Sequence, residues 1–113
     1  MTKSDPTGTG SLSLNRKANT TIGSRSVAVG NFTEASGSYS FAEGYSTKAT
    51  NQGSHAEGNS TTSSGYGSHA EGYGTVASGS NSHAEGYSTI ASGQGSHAEG
   101  HESQALDFCS HAE

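Results

Sequence analysis

The chain has 113 residues, of which 17 are Gly, one is Pro, none is Trp and only 27% are hydrophobic. A small single domain normally has nearly half of its residues apolar, so this composition excludes an ordinary globular core and leaves disorder, a repeat fold with a very thin core, or an oligomer that neighbouring chains complete. The formal net charge of -5 argues against a nucleic-acid binder, and the single cysteine, Cys109, excludes an intramolecular disulfide and a cysteine-based zinc finger.

The first 25 residues fit poorly into the repeat that follows them. Residues 1–6 lack the apolar stretch of a secretory signal, so an extracellular location would require that the chain is a fragment or leaves the cell by another route. Residues 11–14 alternate like a strand of their own. We predict a flexible N-terminus and a capping segment over residues 1–25, because the terminal repeats of a solenoid differ from the internal ones.

From residue 26 onwards the sequence repeats every 14 residues. Ser-His-Ala-Glu begins at residues 54, 68, 82, 96 and 110, and related segments begin at residues 26 and 40. A shorter period of seven places Ser or Thr two residues before an Ala and Gly two residues after it; Ser63 replaces one Ala, and Asn51 and Asp107 replace two of the glycines. Because Gly, Asn and Asp tolerate a left-handed backbone, this glycine position is predicted to have a positive φ at a tight turn.

The register excludes several simpler structures. One Gly in every seven residues and the missing apolar a and d positions exclude a coiled coil. Collagen is excluded because Gly does not recur at every third position. Disorder is disfavoured because low-complexity linkers do not keep a strict register over so many intervals.

The remaining interpretation is a solenoid with two short strands and two turns in each 14-residue coil. In a strand, Ser68 and Ala70 face one side while His69 and Glu71 face the other, and the next half-repeat alternates in the same way. Two strands lying back to back would enclose a narrow interior of Ala, Ser, Thr and Gly. We therefore predict an all-β, parallel β-roll solenoid over residues 26–113, with successive coils about 4.8 Å apart in a rod roughly 30 Å long.

The outward residues of the first strand recur almost unchanged from coil to coil, whereas those of the second strand vary. Since so thin a core is not stable alone, we predict that the recurring face contacts identical neighbouring chains. We call this set the ladder: Val27, Val29, Phe41, Glu43, His55, Glu57, His69, Glu71, His83, Glu85, His97, Glu99, His111 and Glu113. Like charges stacked in one column would repel, so we predict a polar seam of His–Glu hydrogen bonds between chains.

Metal binding, catalysis and ligand binding are the other roles that the exposed residues suggest. His and Glu can bind a divalent cation, but dedicated sites are usually singular, so we predict no metal and no cofactor and keep a metal-binding ladder as a lesser alternative. Catalysis is disfavoured because neighbours on a strand, such as Ser68 and His69, point in opposite directions; we predict no catalytic residues and no enzyme. Tyr45, Tyr73 and Tyr87 share one register and are candidates for ligand binding, for example to glycans.

Two segments connect the chain to a known family. Ser-Val-Ala-Val-Gly at residues 26–30 and Thr-Glu-Ala-Ser-Gly at residues 33–37 resemble the head repeat of the YadA-like trimeric autotransporter adhesins, and the resemblance covers residues 26–113. It implies a left-handed β-roll, three copies of which associate side by side as a homotrimer. It also implies a non-enzymatic head domain that presents a binding surface to host cells, matrix proteins or surface glycans.

Under this resemblance the segment is extracellular, at the cell surface, and the fragment itself contacts neither nucleic acid nor membrane. The repeated His-Ala-Glu-Gly segments are also similar to parts of phage tail fibres and appendages. A structural repeat segment of a virion tail is therefore the alternative function.

Overall fold

Strands form at the Ser/Thr-x-Ala segments of the repeat, where an inward small residue alternates with larger outward ones. A computed structural model describes residues 2–3 and 10–113, and in that part of the chain it contains 14 strands and no helix. None of the described residues forms a helix long and apolar enough to cross a membrane. The strands are β1 (Thr2–Lys3), β2 (Leu12–Arg16), β3 (Val27–Ala35), β4 (Phe41–Tyr45), β5 (Lys48–Ala49), β6 (His55–Asn59), β7 (Thr62–Ser63), β8 (His69–Tyr73), β9 (Val76–Ala77), β10 (His83–Tyr87), β11 (Ile90–Ala91), β12 (His97–Ala98), β13 (Gln104–Ala105) and β14 (His111–Ala112).

These strands form two parallel sheets that lie back to back. The first sheet contains β2, the start of β3, and then β4, β6, β8, β10, β12 and β14; the second contains the end of β3 and then β5, β7, β9, β11 and β13. From β3 onwards, successive strands of each sheet are paired with an offset of 14 residues, as in His69 with His83 and Val76 with Ile90. The predicted parallel solenoid of 14-residue coils is therefore confirmed, with about seven turns and a longest dimension of 40 Å.

The interior is as narrow as the sequence predicts. A column of buried Ala runs along the roll, and the largest side chains that are fully buried are threonines. Ser63 is the one departure from Ala between residues 28 and 105, and it is buried as well. Its hydroxyl forms a hydrogen bond with the hydroxyl of Ser68 at 2.7 Å, so burial leaves it satisfied. At the N-terminal end the interior is closed by Ile22, which is 4% exposed.

Buried serines hold the turns. The hydroxyl of Ser68 donates to the carbonyl of Gly65, three residues earlier, at 2.8 Å, and Ser82 and Ser96 repeat the contact at 2.7 Å. This bond satisfies a hydroxyl that is otherwise removed from water, and it fixes the turn that leads into the strand. The serine that precedes each first strand therefore stabilises the turn before that strand.

The predicted positive φ at the glycine position is only half correct. The glycines two residues after the buried Ala of each first strand, from Gly30 to Gly100, have φ between 103° and 122°. Those in the second half of the coil, such as Gly79, have no positive φ. They are needed for clearance instead, because a Cβ on Gly79 would lie 2.2 Å from the carbonyl oxygen of Gly93 in the next coil.

The tight left-handed corners lie one residue before each Ser or Thr. They recur every seven residues with φ between 52° and 68°, at Arg25, Phe32, Tyr39, Ser46, Gly53, Ser60, Gly67, Gly74, Asn81, Ser88, Gly95, Glu102 and Cys109. Their amides are bonded between coils, as in Asn81, whose N–H donates to the carbonyl of Tyr66 at 2.7 Å. Because many residue types occupy these corners, the sequence did not reveal them.

Residues before 26 extend the first sheet. β2 pairs in parallel with β3, with Leu12 opposite Val27, and the register shifts between Leu14 and Arg16. β1 pairs with β2 in the antiparallel sense. The predicted flexible start lies largely outside the described residues, and the division after residue 25 remains a prediction.

The clearance argument predicts a large effect at Gly79. Gly79→Ala places a methyl group against backbone that has no room to move, so we expect a loss of unfolding free energy of about 1–3 kcal/mol. The matched control is Gly53→Asn, since Gly53 is a left-handed corner where an added Cβ meets no atom closer than 3.9 Å and where Asn81 already stands in the equivalent position. Urea denaturation of both variants checks this; equal losses would contradict the clearance argument.

Candidate functional site

The ladder lies on the outer face of the first sheet. The parallel register places Val27, Phe41 and the five histidines in one column, and Val29 and the glutamates in a second column beside it. Along the strand the two columns flank the buried Ala. The predicted inward and outward assignment of the first strand is therefore correct.

The histidine rings stack on one another. Rings of successive coils lie with centroids 4.6–4.9 Å apart and planes within 3° of parallel, from His55 to His111. Phe41 extends the stack at the N-terminal end, 5.0 Å from the His55 ring and tilted by 53°. The stack follows directly from the strand spacing, because every ring sits above its counterpart one coil away.

Four of the five ladder histidines pair with the glutamate of the preceding coil in the same chain. The distances from Nε2 to Oε1 are 3.1 Å for His69 and Glu57, 3.2 Å for His83 and Glu71, 3.1 Å for His97 and Glu85, and 3.3 Å for His111 and Glu99. The partners are diagonal neighbours across the sheet, which long side chains reach easily. His–Glu pairing thus occurs within one chain, and the pairing between chains remains a prediction.

His55 is the exception in this series. Its Nε2 lies 4.0 Å from Oε1 of Glu43 and 4.0 Å from Oε1 of Glu57, which is too far for a hydrogen bond to either. This nitrogen is shielded from solvent and has no hydrogen-bond partner among the described residues. Glu43, which holds the position of the partner in the other pairs, is too distant, and Glu57 is bonded to His69, so the first imidazole of the stack remains unsatisfied.

The ladder favours ionised carboxylates. The hydrogen bond from His69 lowers the pKa of Glu57 below its ordinary value, and the bond from His97 does the same for the pKa of Glu85, while partial desolvation opposes both shifts. The seven ladder side chains from His55 to His97 are only 33–37% exposed. A negative column therefore lies next to an imidazole column on a half-buried surface.

Ligand atoms suited to a metal ion also converge on this face. Three overlapping sets of two imidazoles and one carboxylate have their ligand atoms within 4.8 Å of one another: His55, Glu57 and His69; His69, Glu71 and His83; and His83, Glu85 and His97. A fourth set, Glu99, His111 and Glu113, has only one imidazole and is more exposed.

The predicted tyrosine column is present at the end of the same strands. Tyr73 and Tyr87 stack with centroids 5.3 Å apart, and Tyr87 stacks on His101 at 4.9 Å. Tyr45 is separated from them by Asn59 and contacts Phe32 edge to face at 5.7 Å. Phe32 was not predicted from the sequence, because it occupies a corner position where other coils have Ser, Gly or Glu.

The lowered pKa values predict that the roll is sensitive to acid. The ionised carboxylates of Glu57 and Glu85 stabilise the fold fully above their ordinary pKa of 4.5, and this contribution is lost as the pH falls through the lower pKa of the folded chain. We expect the melting temperature to fall between about pH 5 and pH 3, and to fall less in Glu57→Gln/Glu85→Gln. Circular dichroism melts check this, with Glu102→Gln, an exposed position outside the ladder, as control. A double variant with the wild-type pH profile would contradict the prediction.

Comparison with known proteins agrees with this architecture. The family model of the YadA head domain repeat matches the chain in two copies, over residues 22–47, 56–82 and 84–105. No curated protein and no solved structure matches the chain. Because the matched residues make up more than half of the chain and follow its coils, the chain belongs to the family of YadA head domain repeats.

Proposed function

We propose that this chain is a non-enzymatic head segment of a trimeric surface adhesin, a rigid scaffold that presents a binding surface outside the cell. The match of the YadA head domain repeat to residues 22–105 carries the proposal. The family consists of adhesin scaffolds. The ladder repeats the same residues in successive coils, whereas an enzyme would have a single active site.

The roll has the stiffness that a scaffold needs. Backbone hydrogen bonds join each coil to the next in the strands, as from the His69 amide to the Ser82 carbonyl at 2.9 Å. They continue through the corners, as from the Ser88 amide to the Tyr73 carbonyl at 2.8 Å. A rod bonded along both its strands and its turns resists bending and keeps surface residues at regular intervals.

We assign the ladder as the contact surface of the homotrimer. The interior buries only small side chains, so little apolar area is removed from water within one chain. The ladder is half-buried before any partner arrives, and Val27, Val29 and Phe41 give it an apolar end. Association of three copies through this face would remove these residues further from water, in the left-handed, side-by-side arrangement that the family resemblance implies.

If the ladder is the trimer contact, a charged substitution on this face should disrupt assembly, whereas one on the second sheet should not. Light scattering should give three times the 11.3 kDa of the chain. Val27→Asp would bury an unpaired carboxylate in three copies, at a cost of several kcal/mol per ion, so we expect dissociation into smaller species. The control is Val76→Asp, since Val76 is equally half-buried but faces outward from the second sheet.

Loss of the trimer only in Val76→Asp would place the interface on the opposite face and contradict the assignment. A folded wild-type monomer in dilute buffer would remove the trimer from the proposal altogether.

We assign the tyrosine column as the ligand-binding surface. Stacked aromatic rings with exposed faces suit the apolar faces of sugars and the side chains of matrix proteins. We expect Tyr73→Ala/Tyr87→Ala to weaken binding at least several-fold, because each ring contact contributes about 0.5–1.5 kcal/mol. The probes are a glycan array and immobilised matrix proteins, and the control is Tyr66→Ala, whose ring is 52% exposed, like that of Tyr73, but lies outside the column. Equal binding by both variants would contradict this role.

A further inference from the structure

The nitrogen and oxygen atoms of the ladder have a spacing that suits a transition-metal ion. A set of two imidazoles and one carboxylate occurs three times along the face, and all residues of each set belong to one chain. Mixed nitrogen and oxygen donors of this kind favour Zn²⁺ over Ca²⁺ and Mg²⁺, which require oxygen ligands. In place of the sequence-based prediction of no metal, we propose that the ladder binds Zn²⁺ at two sites, His55–Glu57–His69 and His83–Glu85–His97.

The distances require only small side-chain movements. Zinc bonds of about 2.0–2.2 Å in a tetrahedral site separate two ligand atoms by about 3.3 Å. Nε2 of His69 and Oε1 of Glu57 are already 3.1 Å apart, as are those of His97 and Glu85. Nε2 of His55 and Oε1 of Glu57 must approach from 4.0 Å, which requires rotation of these two side chains.

One imidazole of the ladder has a ring nitrogen without a partner. Zinc binds imidazoles in their neutral form and carboxylates in their ionised form, and it releases any proton that these groups carry. The shielded Nε2 of His55 has no hydrogen-bond partner among the described residues, and it lies 4.0 Å from Oε1 of Glu57, the carboxylate that would share the ion. A metal ion would give this nitrogen the partner that the protein does not supply. Water or a carboxylate of a neighbouring chain would complete four-coordination.

The overlap between sets determines the stoichiometry. The middle set, His69, Glu71 and His83, uses one imidazole from each of its neighbours, so it cannot be filled at the same time as they are. Filling the two outer sets leaves no histidine shared and gives two Zn²⁺ ions per chain. Glu99, His111 and Glu113 offer one imidazole and would add a weaker event.

This inference does not rest on the proposed function. All three protein ligands of each site come from one chain, so Zn²⁺ binding is expected whether or not the chain forms a trimer, and light scattering of the same sample reports the oligomeric state separately.

The test is calorimetric titration of the untagged chain with ZnCl₂ at pH 7.5. We expect two strong binding events per chain, a higher melting temperature with Zn²⁺ that is reversed by chelator, and no comparable response to CaCl₂. His69→Gln removes one outer set and should reduce two strong events to one. His69→Gln/His83→Gln should leave none, because each outer set then lacks a histidine.

The matched control is His101→Gln, because His101 stacks on Tyr87 outside the ladder and should retain both events. Circular dichroism shows whether each variant is folded. Glu57→Gln/Glu85→Gln keeps all the imidazoles and should leave a single event, because the middle set of His69, Glu71 and His83 is then free to bind. Absence of strong Zn²⁺ binding by the wild-type chain would overturn the proposal. Retention of both events in the folded double histidine variant would overturn it as well.

Discussion

The coil-to-coil spacing of a parallel sheet is the constraint on which the whole molecule depends. With a 14-residue period, each residue lies one strand spacing, about 4.8 Å, from its own counterpart in the next coil. Every side chain must therefore be compatible with a copy of itself above and below. Small residues satisfy this inside the roll, and planar rings satisfy it outside by stacking.

The same spacing explains why charge on the outer face is organised in diagonal pairs. Glutamates stacked directly above one another repel, but each inner carboxylate is also close to an imidazole of the following coil. The diagonal hydrogen bonds from the imidazole column offset the repulsion within the carboxylate column, and they lower the pKa values of Glu57 and Glu85. At the N-terminal end this series stops, because Glu43 lies 4.0 Å from Nε2 of His55 and that nitrogen is left without a hydrogen bond.

A thin interior has consequences for function. Because Ala, Ser and Thr fill the roll, its stability depends on backbone hydrogen bonds and on what covers its outer faces. A scaffold of this kind supports a binding surface well, since its side chains project at fixed intervals. The tyrosine column and the ladder lie on the same strands, so neighbouring chains and ligands would be placed relative to each other by one rigid frame.

The sequence by itself determined the 14-residue coil, the parallel stacking, the inward Ala and Ser and the outward His and Glu, because strand alternation and exact repetition leave one consistent arrangement. It also located the tyrosine column. Only the tertiary structure decided that Gly79 is required for clearance, that the left-handed corners lie one residue before Ser or Thr, and that His69 pairs with Glu57 in its own chain. These features depend on contacts between residues of neighbouring coils, and the conformational preference of a single residue type does not report such contacts.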